Sequence, residues 1–144
     1  MHGLIDNLEV RYVGAAVAAG SSIDDNSSII DMDGYESVMF VTTITDSVAT
    51  GVAKMVVQEN DENSDTGMAD VTGTAATVTC AENDDINGTV LVPEYRKPAK
   101  RFVQAVRTSA TANIAYGEVI AILKPLRRPA EQGATVSDTA YVSN

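Results

Sequence analysis

β-Branched side chains dominate this 144-residue chain: 18 Val, 14 Thr and 9 Ile stand against only 5 Leu. Side chains branched at Cβ are stiff at χ1 and fit a pleated, half-buried surface better than a helix. A helical domain of this length would draw on far more Leu, Glu and Lys. There is no Trp and aromatic residues make up 5% of the chain, so any core is built mostly from Val, Ile and Ala. Thin aliphatic cores of that kind suit two sheets packed face to face.

Strand signals recur along the chain at short spacing. Ile29 to Met32 is a short apolar run closed by Asp33-Gly34. Ser37 to Ile44 alternates strongly, with Val38, Phe40, Thr42 and Ile44 on one face. Val52 to Gln58 places Ala53, Met55 and Val57 opposite Val52, Lys54, Val56 and Gln58. Further segments are Ala69 to Val71, Ala75 to Cys80 and Gly88 to Val92, the last preceded by Asn87-Gly88, a pair that accepts positive φ in a tight turn. Arg101 to Thr108 reads as a strand, although Phe102, Val103 and Val106 also fit a helical face. Ile114 to Leu123 is apolar on both faces apart from Glu118, as a central strand requires.

The expectation is an all-β, antiparallel sandwich of about eight strands over residues 21–126. Residues 1–20, with the small-residue run Gly14 to Gly20, read as an N-terminal arm, either a weak edge strand or a segment lying on a partner. Ser21 to Ser28 reads as a polar turn, and residues 127–144 as a C-terminal tail with one short pairing segment around Ala140 to Val142.

Charge is distributed unevenly. The net charge is −10. Residues 1–94 carry 17 acidic and 2 basic side chains, and residues 95–144 carry 3 acidic and 8 basic. The first part is therefore −15 and the second +5, which describes either a solvated surface or a module with unlike faces. The basic residues gather in Arg96, Lys97, Lys100 and Arg101, joined by Arg107, Lys124, Arg127 and Arg128. Only Tyr95 and Phe102 flank the run, and the acidic total argues against nucleic-acid binding. These cations pair with the acidic first part, within or between copies, or dock on an acidic protein surface.

No pattern announces a reaction. The single histidine, His2, sits next to the start, a poor place for an imidazole that a third group must orient. The single cysteine, Cys80, lies on an alternating strand with no nearby cation in sequence, and reads as a buried small hydrophobe. One cysteine makes no internal disulfide, and zinc or iron–sulfur ligation lacks ligands. In the loop Asp61 to Gly67, the residues Asp61, Asn63 and Asp65 match the first three ligands of an EF-hand, but Thr66 and Thr72 replace its Gly and Glu. The adjacent pairs Asp24-Asp25 and Asp84-Asp85 lack the spacing of a catalytic carboxylate pair. Phosphate-binding glycine motifs are missing. The start of the chain does not read as a signal peptide, and no apolar run has the length of a membrane span.

Three stretches carry a family resemblance. They are Asp31 to Thr42, Val56 to Val71, and Lys100 to Arg107 together with Gly117 to Leu123. Their strand and loop texture resembles the decoration, or cement, proteins of tailed-bacteriophage heads, over roughly residues 29–128. The resemblance implies a jelly-roll sandwich and a structural, non-enzymatic virion protein without cofactors. It implies a position on the outer surface of the phage head, where homo-oligomers tie neighbouring major-capsid-protein subunits together. Its expected partners are the major capsid protein and copies of itself as a dimer or trimer, with no nucleic acid and no membrane. The contact residues expected on this reading are Arg96, Lys97, Lys100, Arg101, Arg127 and Arg128. A tail-tube or fibre module of the virion is the alternative, and a small hydrolase a distant one.

Overall fold

The computed structural model describes residues 3–144, and its regular structure is almost entirely β. The strands are β1 (Glu9–Gly14), β2 (Val17–Gly20), β3 (Asp24–Asn26), β4 (Ile30–Asp31), β5 (Tyr35–Ser47) and β6 (Val52–Asn60). They continue with β7 (Ala69–Asp70), β8 (Ala76–Thr79), β9 (Val90–Leu91), β10 (Glu94–Arg96), β11 (Phe102–Ala110) and β12 (Ile114–Pro125). One sheet runs β1-β12-β5-β10, with β2 beside β12 and β9 beside β5. The other runs β3-β11-β6-β7, with β4 beside β11 and β8 beside β6. Every pairing is antiparallel.

Eight of these twelve strands are halves of four interrupted ones: β1 and β2 share a neighbour, as do β3 and β4, β7 and β8, and β9 and β10. Joined, they leave eight strands in which the first pairs with the last, the second with the seventh, the third with the sixth, and the fourth with the fifth. That nesting is one long hairpin rolled into a sandwich, the jelly roll.

The core follows the alternation of the sequence. Val38, Phe40 and Ile44 on β5, Ala53, Met55 and Val57 on β6, and Val119, Ala121 and Leu123 on β12 are fully buried between the sheets. Thr42 keeps the pattern by donating its hydroxyl to the Glu118 carbonyl at 3.1 Å. Where the fifth joined strand breaks, the Thr74 hydroxyl accepts from the Val57 amide at 3.1 Å and donates to the Val71 carbonyl at 2.8 Å. A buried backbone group is thereby satisfied without a continuous ladder.

The segment expected to be an arm is largely an edge of the sandwich. Glu9 to Gly14 and Val17 to Gly20 pair with β12, and Val13 enters the core. Large side chains are unnecessary there, because one neighbour and backbone bonding hold an edge strand. The small residues instead create space: a Cβ on Gly14 would lie 3.1 Å from Val119 Cγ2 and 3.5 Å from Arg107 Nη2. Asp24 to Asn26, expected to be a turn, is a strand against β11. Residues 140–142 form no strand. Gly88 uses positive φ, but the turn spans several residues, Asp84 takes the other positive φ, and the strand begins at Val90.

The tail instead lies along the outer edge of β1. The Val10 amide donates to Gln132 Oε1 at 2.8 Å and the Tyr12 amide to Thr135 Oγ1 at 3.2 Å. Gln132 Nε2 donates to the Leu8 carbonyl at 2.7 Å. Outward amides of an edge strand are a template for unwanted pairing, and here the chain's own side chains cover two of them.

Candidate docking surface

The six cations singled out in the sequence gather at one end of the sandwich, because three connections meet there. These are the β4–β5 turn, the β10–β11 turn and the exit from β12. The Lys97 amide donates to the Glu36 carbonyl at 2.7 Å and the Leu126 amide to the Gly34 carbonyl at 2.9 Å, which ties all three together. The β10–β11 turn is also held from across the core. Tyr95 donates its hydroxyl to Glu59 Oε2 on β6 at 2.7 Å and accepts from the Ala99 amide at 2.9 Å, and the Lys100 amide reaches the same carboxylate at 3.2 Å. Burial and the Glu59 carboxylate both push the Tyr95 phenol up, so it stays a donor.

Three of the six cations are engaged within the molecule. Arg96 bonds Glu36 at 3.0 Å and Lys100 lies 3.6 Å from Asp61. Arg101 grips both Asp31 oxygens at 2.8 Å, a bidentate fork. The Arg101 guanidinium and the Asp33 amide together hold the Asp31 carboxyl down to about 2. Glu36, which also accepts Lys124 at 3.0 Å, is likewise lowered by its Lys124 and Arg96 partners. Lys97, Arg127 and Arg128 are exposed and make none of the ion pairs among the described residues.

Arg107 does not belong to this surface. It is 1% exposed and lies between the sheets. It donates to the Gly117 carbonyl, to the Ala15 carbonyl at 2.6 Å and to Asp25 Oδ2 at 2.7 Å. Its guanidinium lies 5.5 Å from the centre of the Tyr116 ring. The opposite end of the sandwich gathers Asp24, Asp46, Glu82, Asp84 and Asp85, and neither Lys nor Arg occurs in residues 80–89 or 109–117. The basic end is not free of acid, because Asp31, Glu36 and Asp61 from the acidic part of the sequence lie among its cations.

The other candidates have structural partners. Cys80 is buried, and its thiol is 3.0 Å from Asp85 Oδ1. Desolvation and that carboxylate push the thiol up, opposite to the activation a nucleophile needs. Asp85 Oδ2 accepts the amides of Ala81 and Glu82 at 3.1 Å, closing the loop. Asp65 Oδ1 accepts the side-chain amides of Asn26 and Gln104 at 2.8 Å, while Asp61 faces Lys100, so the calcium-like spacing does not converge. Among the described residues no group of three or more His, Cys, Asp or Glu is placed to hold a metal ion. His2 lies outside the described residues.

The outer face of the first sheet was not legible as a surface. The pairing register sets Tyr12, Ile120 and Val41 in one row and Val10, Ile122 and Met39 in the next. Val90 opposes Thr43 on the same side. The outward side of Ile114 to Leu123, expected to be covered as in a central strand, is apolar yet partly open. Ile120 and Ile122 are only half-buried.

No protein-family model matches the chain, and no curated protein matches it. Among solved structures, the chain is similar to one described as "CBM4 structure and function", at 14% identity over 84% of this chain and 79% of that one, with a TM-score of 0.44.

Proposed function

We propose that this chain is a structural virion module that binds the outside of a tailed-phage capsid and cements neighbouring major-capsid-protein subunits. The observation that carries the reading is the set of three exposed, unpaired cations, Lys97, Arg127 and Arg128, presented together at one end of a jelly roll. Lys97 sits on a turn braced by Tyr95, Glu59 and Glu36, and Arg127 and Arg128 follow Leu126, whose amide is held by the Gly34 carbonyl. Such a group suits an acidic protein surface and steers association. The family resemblance supplies the identity of that surface. Adhesion, not turnover, is the mechanism: many modest contacts, repeated over a symmetric shell, sum by multivalency.

The test is a titration of purified heads stripped of this protein. The reading requires saturable binding at a fixed ratio to the major capsid protein. Heads that take up no protein, or take it up without saturating, contradict it.

A further inference from the structure

The outer face of the first sheet carries an apolar surface that the single chain leaves open. Tyr12 is 46% exposed, Val10 38%, Val90 52% and Val92 42%, while Met39, Val41, Ile120 and Ile122 are half-buried between them. A shallow depression of about 400 Å³ lies in the middle, with Tyr12, Val41, Ile120 and Glu118 among its walls. Four strands at about 4.8 Å spacing and three rows about 7 Å apart make a footprint on the order of 400 Å², mostly apolar, with Thr43 and Glu118 among its members. That is at the size where an exposed patch on a monomer is usually functional.

We propose that this face is a self-association surface on which a second copy of the chain packs sheet against sheet. Charge selects this occupant. The face is nearly neutral, since Glu36, Glu94 and Glu118 stand beside Lys124 and Arg96 around the apolar rows, whereas the whole molecule is −10. Much of the acidity belongs to the other sheet and its loop: Asp24 and Asp25 on β3, Asp70 on β7, and Asp61, Glu62 and Asp65 after β6. Pairing through the first sheet turns those acidic faces away from each other. Three layer spacings of about 10 Å put them about 30 Å apart, well beyond a Debye length of about 8 Å. An isologous pairing through the second sheet sets acid against acid.

Area agrees. A mostly apolar centre of about 400 Å² with its polar rim approaches the roughly 800 Å² per partner of a standard interface. The contact is isologous, the same patch on both copies, so it closes at a dimer. Two open sheets aligned in this way continue the packing already present inside the sandwich.

Sedimentation velocity and light scattering over a dilution series test the proposal. The intact chain is expected to be a dimer at tens of micromolar and to dissociate on dilution. Val41→Lys is expected to weaken the dimer at least tenfold while the far-ultraviolet spectrum stays unchanged, and Tyr12→Lys to do the same at a separate position. Thr77→Lys, on the exposed side of the second sheet, is expected to leave the dimer intact. If Val41→Lys fails to fold, the Tyr12 variant decides. A monomer throughout the series, a trimer, or a dimer indifferent to both variants overturns the proposal. The self-association that the cement reading includes then has a defined face, and the two readings fail separately. A dimer that does not bind stripped heads removes the cement reading and leaves the face. Head binding by a chain that is monomeric in solution does the reverse.

Discussion

Arg107 on β11 and Gly117 on β12 belong to opposite sheets, and the guanidinium of one donates to the carbonyl of the other through the centre of the sandwich. The same side chain reaches Ala15 between β1 and β2 and Asp25 on β3, so one cation joins four strands or their connections. Asp25 is 42% exposed and can be hydrated, but removing the guanidinium leaves the Gly117 carbonyl between the sheets without its donor, at about 1–3 kcal/mol. Arg107→Met is therefore expected to lower the unfolding free energy by about that amount in a urea titration. Arg107→Lys is expected to recover only part, because an ammonium cannot present the planar fork. A Met variant within about 0.5 kcal/mol of the parent would remove this role for the side chain.

Gly117 itself fits against β5 only because it lacks a side chain. A Cβ there would overlap Thr43 Oγ1 on the neighbouring strand. Gly117→Ala is expected to cost about 1–3 kcal/mol. Thr43→Ala is expected to restore part of it, so the double mutant should be more stable than the sum of the single changes implies. Strict additivity would show that the clash does not limit the site.

The Asp31–Arg101 fork makes a prediction about pH. The folded carboxyl is held to about 2, below its ordinary 3.8. A lowered acid contributes stability that is present above the unfolded value and is lost as pH falls toward 2. Both partners are about half exposed, so the contribution to folding is small. The direct readout is the Asp31 carboxyl resonance, expected to titrate near 2 in the parent and to move up toward 3.8 in Arg101→Gln, where the Asp33 amide remains. Titration at 3.8 in both would mean that the fork does not persist in solution.

The tail along β1 predicts a specific exchange pattern. Val10 and Tyr12 donate to side chains of Gln132 and Thr135. Truncation after Pro129 is expected to speed hydrogen exchange at these two amides while leaving Val38 and Phe40 protected. It is also expected to raise the tendency to aggregate, through the uncovered edge. Unchanged exchange at Val10 and Tyr12 would count against the covering role.

Strands whose second residues are large and apolar were legible because burial has the same period as the strand. Val38, Phe40, Thr42 and Ile44 are fully buried, as their alternation requires. Asp24 to Asn26 was illegible as a strand because its pairing comes from β11, and its Asp25 carboxylate is neutralised by an arginine 82 residues away. Arg107 reads in sequence as part of a basic surface. Its burial depends on partners from the other sheet and from β3, namely the carbonyls of Gly117 and Ala15 and the Asp25 carboxylate, which come together only once the sheets have closed. The exposed cations were legible as a cluster, but not that Asp31, Glu36 and Asp61 would absorb half of it. The apolar outer face was read as burial because periodicity reports that a side chain is apolar and not what covers it.

These distinctions divide the basic cluster into two sets with different expected effects. Lys97, Arg127 and Arg128 changed together to Gln should weaken retention on heads and reduce its salt dependence, whereas Arg96, Lys100 and Arg101 changed together should alter retention far less. Salt itself should release the protein, since the Debye length shrinks from about 8 Å at physiological strength to about 3 Å at 1 M. Equal effects from the two sets would show that the internal ion pairs open on binding.

The most direct measurement is a density map of the assembled particle. A jelly roll is expected on the outside of the head, over seams between major-capsid-protein subunits, with Lys97, Arg127 and Arg128 turned toward the shell. Density for this chain in the tail or inside the shell, or an outer surface with no such density, would contradict this expectation.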